Sequence, residues 1–103
     1  GAAVNRIGDF NPQDMANTAW AFATAGVAAE RLFEVIAGAA VTRIGDFKPQ
    51  EMASTVWAFA GAGVAAEALF EAIAGAAVKR VDDFNPQNLA NTAWAFATAG
   101  VAA

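Results

Sequence analysis

Apolar positions along this chain recur at helical spacing, and prolines and glycines interrupt them at regular intervals. Met15, Ala19, Phe22 and Ala23 fall on one face of a 3.6-residue helix, with Ala16 and Trp20 beside them. The pattern predicts a first helix from about Pro12 to Ala25. Asn11 is a good N-cap, Pro12 takes the N1 position where its missing N–H is no loss, and Asp14 at N3 suits the helix dipole. Phe10 and Met15 occupy the staple positions on either side of that start. Gly26 is the predicted C′ residue. A second helix is predicted from about Ala28 to Ile44, with Glu30 and Glu34 in its first half, Arg43 in its last turn and Gly45 as its stop. Phe33, Ala37, Ala40 and Ile44 form one stripe on it, and Leu32, Ile36 and Ala39 an adjoining one. So wide an apolar face packs on more than one neighbour.

The pattern then repeats. Phe10, Phe47 and Phe84 are 37 residues apart, as are Pro12, Pro49 and Pro86, and Trp20, Trp57 and Trp94. Residues 10–46 and 47–83 are identical at 27 of 37 positions. The reading is therefore residues 1–9 as the end of a preceding unit, 10–46 and 47–83 as full repeats, and 84–103 as the first helix of a third, the whole being a piece of a longer array. Departures are local. Lys48, a poor cap, stands where Asn11 and Asn85 stand. Asp82 replaces Gly45, a change expected to be tolerated because Asp can visit the left-handed region.

One hairpin cannot bury both faces of its helices, whereas stacked hairpins can. The fold class expected is all-α, an α-solenoid of stacked antiparallel helix hairpins. A compact bundle is the weaker alternative, because it would need different residues at its different positions. With both apolar ends open, two full repeats are expected to be marginally stable unless neighbouring units or subunits cover them.

Composition narrows the chemistry. Apolar residues make up 57% and charged residues 16%, which argues against disorder. There is no His and no Cys, which removes imidazole bases, thiolate nucleophiles, disulfides and the usual structural zinc sites. No phosphate-binding glycine loop or nucleophile elbow is present, so a non-enzyme with no cofactor, no metal and no small-molecule substrate is expected. The uncharged runs Met15–Ala29 and Met52–Ala66 have 15 residues each, and Phe84–Ala103 has 20 but includes Asn85, Pro86, Gln87, Asn88 and Asn91, so none supplies the roughly 20 predominantly apolar residues that a spanning helix needs. No membrane insertion is expected. The N-terminal stretch reads as neither a signal nor a transit peptide.

In stacked repeats each position becomes a column. Gln13, Gln50 and Gln87, with Asn17, Ser54 and Asn91 one turn later, form a polar column on the first helix of each unit, prolonged by Thr24, Gly61 and Thr98. Short amide and hydroxyl groups in such a row can read one base edge per unit. They can equally bond the local backbone or face water. Arg6, Arg43 and Arg80, with Lys79, are candidate phosphate contacts. The competing reading is a ladder to Asp9, Asp46 and Asp83. Trp20, Trp57 and Trp94, set among alanines and beside phenylalanine, are expected to be packed wedges between hairpins rather than an exposed stacking platform. Glu30, Glu34, Glu67 and Glu71 are expected on the solvated face of the second helices.

The segments F-N-P-Q-D-M-A-N-T-A-W-A-F-A-T-A-G, F-K-P-Q-E-M-A-S-T-V-W-A-F-A-G-A-G and F-N-P-Q-N-L-A-N-T-A-W-A-F-A-T-A-G, followed by L-F-E-x-I-A, cover nearly the whole chain. It resembles the octotricopeptide and heptatricopeptide type of helical hairpin repeat found in algae and other protists, some of whose members are similar to a chloroplast translation factor. The resemblance implies a chloroplast or mitochondrial protein that binds RNA in processing, stability, translation or ribosomal RNA contact. It implies that Gln13, Asn17, Gln50, Ser54, Gln87 and Asn91 face single-stranded RNA. The second reading is a protein–protein interaction scaffold or a structural subunit of a larger organellar complex, which the net charge of −4 favours.

Overall fold

The computed structural model describes residues 10–26, 29–64 and 66–100. These form five α-helices and two 3₁₀ turns, without a strand: α1 Pro12–Thr24, α2 Glu30–Thr42, a turn at Ile44–Asp46, α3 Pro49–Gly61, α4 Glu67–Lys79, a turn at Val81–Asp83, and α5 Pro86–Ala99. The all-α expectation holds.

The helix starts follow from local chemistry. Asn11 and Asp14 cap each other reciprocally: Asn11 Oδ1 accepts from the Asp14 N–H at 2.8 Å, and Asp14 Oδ2 accepts from the Asn11 N–H at 3.0 Å. Asn85 repeats half of this at α5, accepting from the Asn88 N–H at 2.6 Å. Lys48 has no side-chain acceptor, so α3 keeps only the bond from the Lys48 N–H to Glu51 Oε1, at 2.9 Å. The stops of α1, α3 and α5 use glycine. Gly26, Gly63 and Gly100 have φ of 73°, 74° and 72°. After α3 a full Schellman pair forms, Val64 N–H to Phe59 O at 2.9 Å and Gly63 N–H to Ala60 O at 3.1 Å.

The second helices are shorter than expected. α2 ends at Thr42, Arg43 is its C-cap, and Ile44, Gly45 and Asp46 wind into a 3₁₀ turn closed by Asp46 N–H to Arg43 O at 2.9 Å. Gly45 is therefore not the stop. The equivalent Asp82 sits in the same right-handed turn, since no non-glycine described residue has positive φ. The tolerance of Asp at that position needs no left-handed backbone. Ala28, the expected start of the second helix, lies outside the described residues.

α3 packs along α1 on one side and α5 on the other, while α2 packs beside α4 as a second layer. Arginine closes each hairpin. Arg80 Nη1 donates to the Phe47 carbonyl at 2.8 Å, and Arg43 Nη1 makes the same bond to Phe10. Each bond ties the end of a second helix to the residue just before the first helix of its hairpin, so the two run antiparallel. Phenylalanine edges join successive hairpins. Phe33 of α2 meets Phe59 of α3 at 4.9 Å, and Phe70 of α4 meets Phe96 of α5 at 5.1 Å. The core is one cluster around Met52, Val56 and Phe59, with Phe33, Ile36, Leu69, Phe70 and Ile73 closing on it from the second layer.

Candidate nucleic-acid interface

Gln13, Asn17, Trp20 and Thr24 follow one another at steps of four, three and four residues, so they share one stripe of α1. All four are exposed. The same stripe on α3 is Gln50, Ser54, Trp57 and Gly61, and on α5 it is Gln87, Asn91, Trp94 and Thr98. Ser54, Trp57 and Asn91 are half-buried and the others exposed. None of these twelve residues is ionisable. Alanine at Ala16, Ala19 and Ala53 lets α1 and α3 lie close together under the stripe.

Between α1 and α3 the amide row opens into a cleft of about 200 Å³, lined by Gln13, Ala16, Asn17, Lys48, Gln50, Glu51 and Ser54. Four of the six residues expected to read bases thus meet at one place. Gln87 and Asn91 continue the row on α5. The cleft is smaller than the roughly 300–1,000 Å³ of drug-sized ligand pockets. Its size suits a planar ring or the edge of one. Lys48 is a member that the sequence reading missed. Its signal was present as the one basic residue in the cap column, which was read only as a weak cap.

The basic candidates divide. Arg43 and Arg80 are half-buried and hold the phenylalanine carbonyls described above, so they are first of all hairpin clamps. Lys79 is exposed at the end of α4. Arg6 lies outside the described residues. An arginine–aspartate ladder is present only as Arg80 Nε to Asp83, at 4.0 Å, among the described residues. At that length, with the carboxylate exposed, the pair contributes little.

Trp20 and Trp94 contradict the expected wedge. Trp20 is 48% exposed and Trp94 47%. Trp57 is half-buried, and its ring lies 5.8 Å from that of Trp94 with the planes 31° apart. Phenylalanine and alanine fill the space between hairpins instead, which leaves the larger indoles at the surface beside the amides. Glu30, Glu34, Glu67 and Glu71 are exposed, as expected, on the second layer. Of the acidic residues on α1, α3 and α5, Asp14 and Glu51 are both engaged at helix starts. Glu51 still lines the cleft beside Lys48, while Glu30, Glu34, Glu67 and Glu71 carry their charge on the second layer.

The family model of RNA-editing substrate-binding complex 6 protein (RESC6) matches residues 1–101. The chain belongs to the RESC6 family. No curated protein and no solved structure matches it. In this RESC6-family chain the match spans all five helices, the cleft and the three tryptophans. No helix among the described residues is long and apolar enough to cross a membrane.

Proposed function

We propose that this chain is a segment of an α-solenoid of 37-residue hairpins, of the octotricopeptide-like kind, which binds single-stranded RNA along the exposed stripe of α1, α3 and α5 within an organellar RNA-editing complex. The role is binding, not catalysis. The observation that carries the reading is the cleft where Gln13, Asn17, Gln50 and Ser54 converge, with Lys48 and Glu51 completing its lining. Carboxamides and hydroxyls offer donors and acceptors together, which is what base edges require. The family name, which joins RNA editing to substrate binding, supports the RNA assignment and favours the mitochondrion over the chloroplast. Phosphates would meet Lys48 at the cleft, Lys79, and the guanidinium N–H groups of Arg43 and Arg80 that do not hold phenylalanine carbonyls.

The test is an RNA titration near 50 mM salt, where electrostatic affinity is greatest. Ser54→Asn should change base preference at a single register and leave the others alone. Equal binding of all bases by both proteins would remove Asn17, Ser54 and Asn91 from base reading. A second reading rests on the other layer. Glu30, Glu34, Glu67 and Glu71 are exposed there, and Val78 is 78% exposed, a combination suited to a basic protein subunit of the same complex. The two readings use opposite surfaces, so both partners can be held at once.

A further inference from the structure

The indoles stand one turn beyond the amides on the same stripe: Trp20 after Asn17, Trp57 after Ser54, and Trp94 after Asn91. Each hairpin therefore presents a short polar group and a large aromatic surface side by side. Trp57 and Trp94 touch, so the aromatic surface is continuous from α3 to α5, and Trp20 stands exposed at the equivalent place on α1. With centroids 5.8 Å apart there is no room for a base between these two rings, and the available surface is their solvent-facing flank. A purely apolar protein partner laid on this stripe would bury the adjoining amides without hydrogen bonds, at a cost of about 1–3 kcal/mol for each group. A nucleobase satisfies both halves, because its face stacks on the indole and its edge bonds the amide. Charge agrees with that occupant. None of the twelve stripe residues is a carboxylate, Glu51 in the cleft is accompanied by Lys48, and Glu30, Glu34, Glu67 and Glu71 lie on the other layer.

We propose that Trp20, Trp57 and Trp94 form a base-stacking rail for single-stranded RNA, each indole supporting the base whose edge meets Asn17, Ser54 or Asn91. This rests on the RNA reading above and adds to it the way affinity is generated: stacking supplies most of it, and the amides supply selectivity. Such binding tolerates an acidic protein, because stacking needs no basic groove.

The experiment uses the 103-residue chain, at a temperature where its helical circular dichroism is intact, and two readouts. Its three tryptophans and absent tyrosine make intrinsic emission a report on the rail alone. Anisotropy of an end-labelled single-stranded RNA oligomer reports binding. Expected are quenched indole emission on titration, about tenfold weaker binding by Trp94→Leu, and partial recovery with Trp94→Phe. The dependence on salt should not change with either variant, because no phosphate contact is removed. An abasic oligomer of the same length should leave the emission unquenched. Binding by anisotropy without quenching, and with Trp94→Leu equal to the parent, would overturn the rail and leave the RNA reading standing. No binding of RNA by the parent protein would overturn both and give the stripe to a protein partner. Because quenching is measured on the parent protein, the result does not depend on a variant that folds poorly.

Discussion

α3 and α5 have closely similar sequences and very different surroundings. In α3, Met52, Ala53, Thr55, Val56, Ala58, Phe59 and Ala60 are all buried. In α5 the buried set is Asn88, Thr92, Ala95 and Phe96, while Leu89, Ala90 and Ala93 are exposed. α1 shows the opposite half, with Met15, Ala16 and Ala19 buried and Asp14 and Ala21 exposed. Each first helix thus has two packing faces. The Met15–Ala19 face meets the hairpin that follows, and the Thr92–Phe96 face meets the hairpin that precedes. Among the described residues only α3 has such neighbours on both sides. Burial here is set by position along the stack, and residue type decides only which face is ready to be covered. Thr55 and Thr92 fit this arrangement because each hydroxyl donates to the carbonyl four residues back, Glu51 at 2.7 Å and Asn88 at 2.8 Å, and so enters an apolar contact without an unpaired group.

The strongest way to break the comparison is to truncate the same residue in all three helices. Phe59 and Phe96 sit on the face that is covered in both α3 and α5, fully buried in one and 5% exposed in the other. Each change to alanine should destabilise by about 3–5 kcal/mol, read as a lower urea midpoint. Phe22 is the same residue on α1, where that face has no preceding hairpin among the described residues, and it is half-buried. Its change should cost about 1–2 kcal/mol. A Phe22→Ala loss as large as that of Phe96→Ala would mean that the packing direction is wrong.

The opposite face gives the next largest difference. Met52 is fully buried and Leu89, its equivalent, is 39% exposed. Met52→Ala should cost about 2–5 kcal/mol and Leu89→Ala less than about 1 kcal/mol. Adding a further hairpin of the same sequence after α5 should raise the Leu89 value toward that of Met52. If Leu89→Ala stays cheap in the extended chain, the added hairpin does not stack on that face, and the proposal of a continuous array fails with it.

What was legible in the sequence follows the same division. Helix starts could be read, because Asn11, Pro12 and Asp14 act within one turn. Glycine stops at Gly26 and Gly63 could be read, because a left-handed residue after a helix is a local demand. The end of α2 could not. Arg43 is fixed by a bond to the carbonyl of Phe10, and a backbone carbonyl leaves no trace in residue type. The tryptophans misled for a related reason. An apolar side chain among alanines predicts burial, but the alanines bring helix axes together and the phenylalanines fill what remains, so the indoles are displaced to the surface. The amide row was legible as a periodic polar stripe. That it meets Lys48 in a cleft depends on how α1 lies against α3, which periodicity does not reveal.

The smallest effect tests the point at which α3 is the weaker of the two helices. Asn85 caps α5 through its side chain, and Lys48 cannot cap α3. Since an N-cap acceptor stabilises by about 0.5–2 kcal/mol, Lys48→Asn should raise stability by about 1 kcal/mol and Asn85→Lys should lower it by a similar amount. On a chain of this size that is a shift of roughly 4–8 °C in melting temperature, within reach of a circular dichroism melt. The same exchange removes a positive charge from the cleft between α1 and α3. Stability and RNA affinity should therefore move in opposite directions for Lys48→Asn: a higher melting temperature with weaker, less salt-dependent binding. A variant that gains both would show that Lys48 is only a poor cap, and that phosphates are met at Arg43, Arg80 or Lys79 instead.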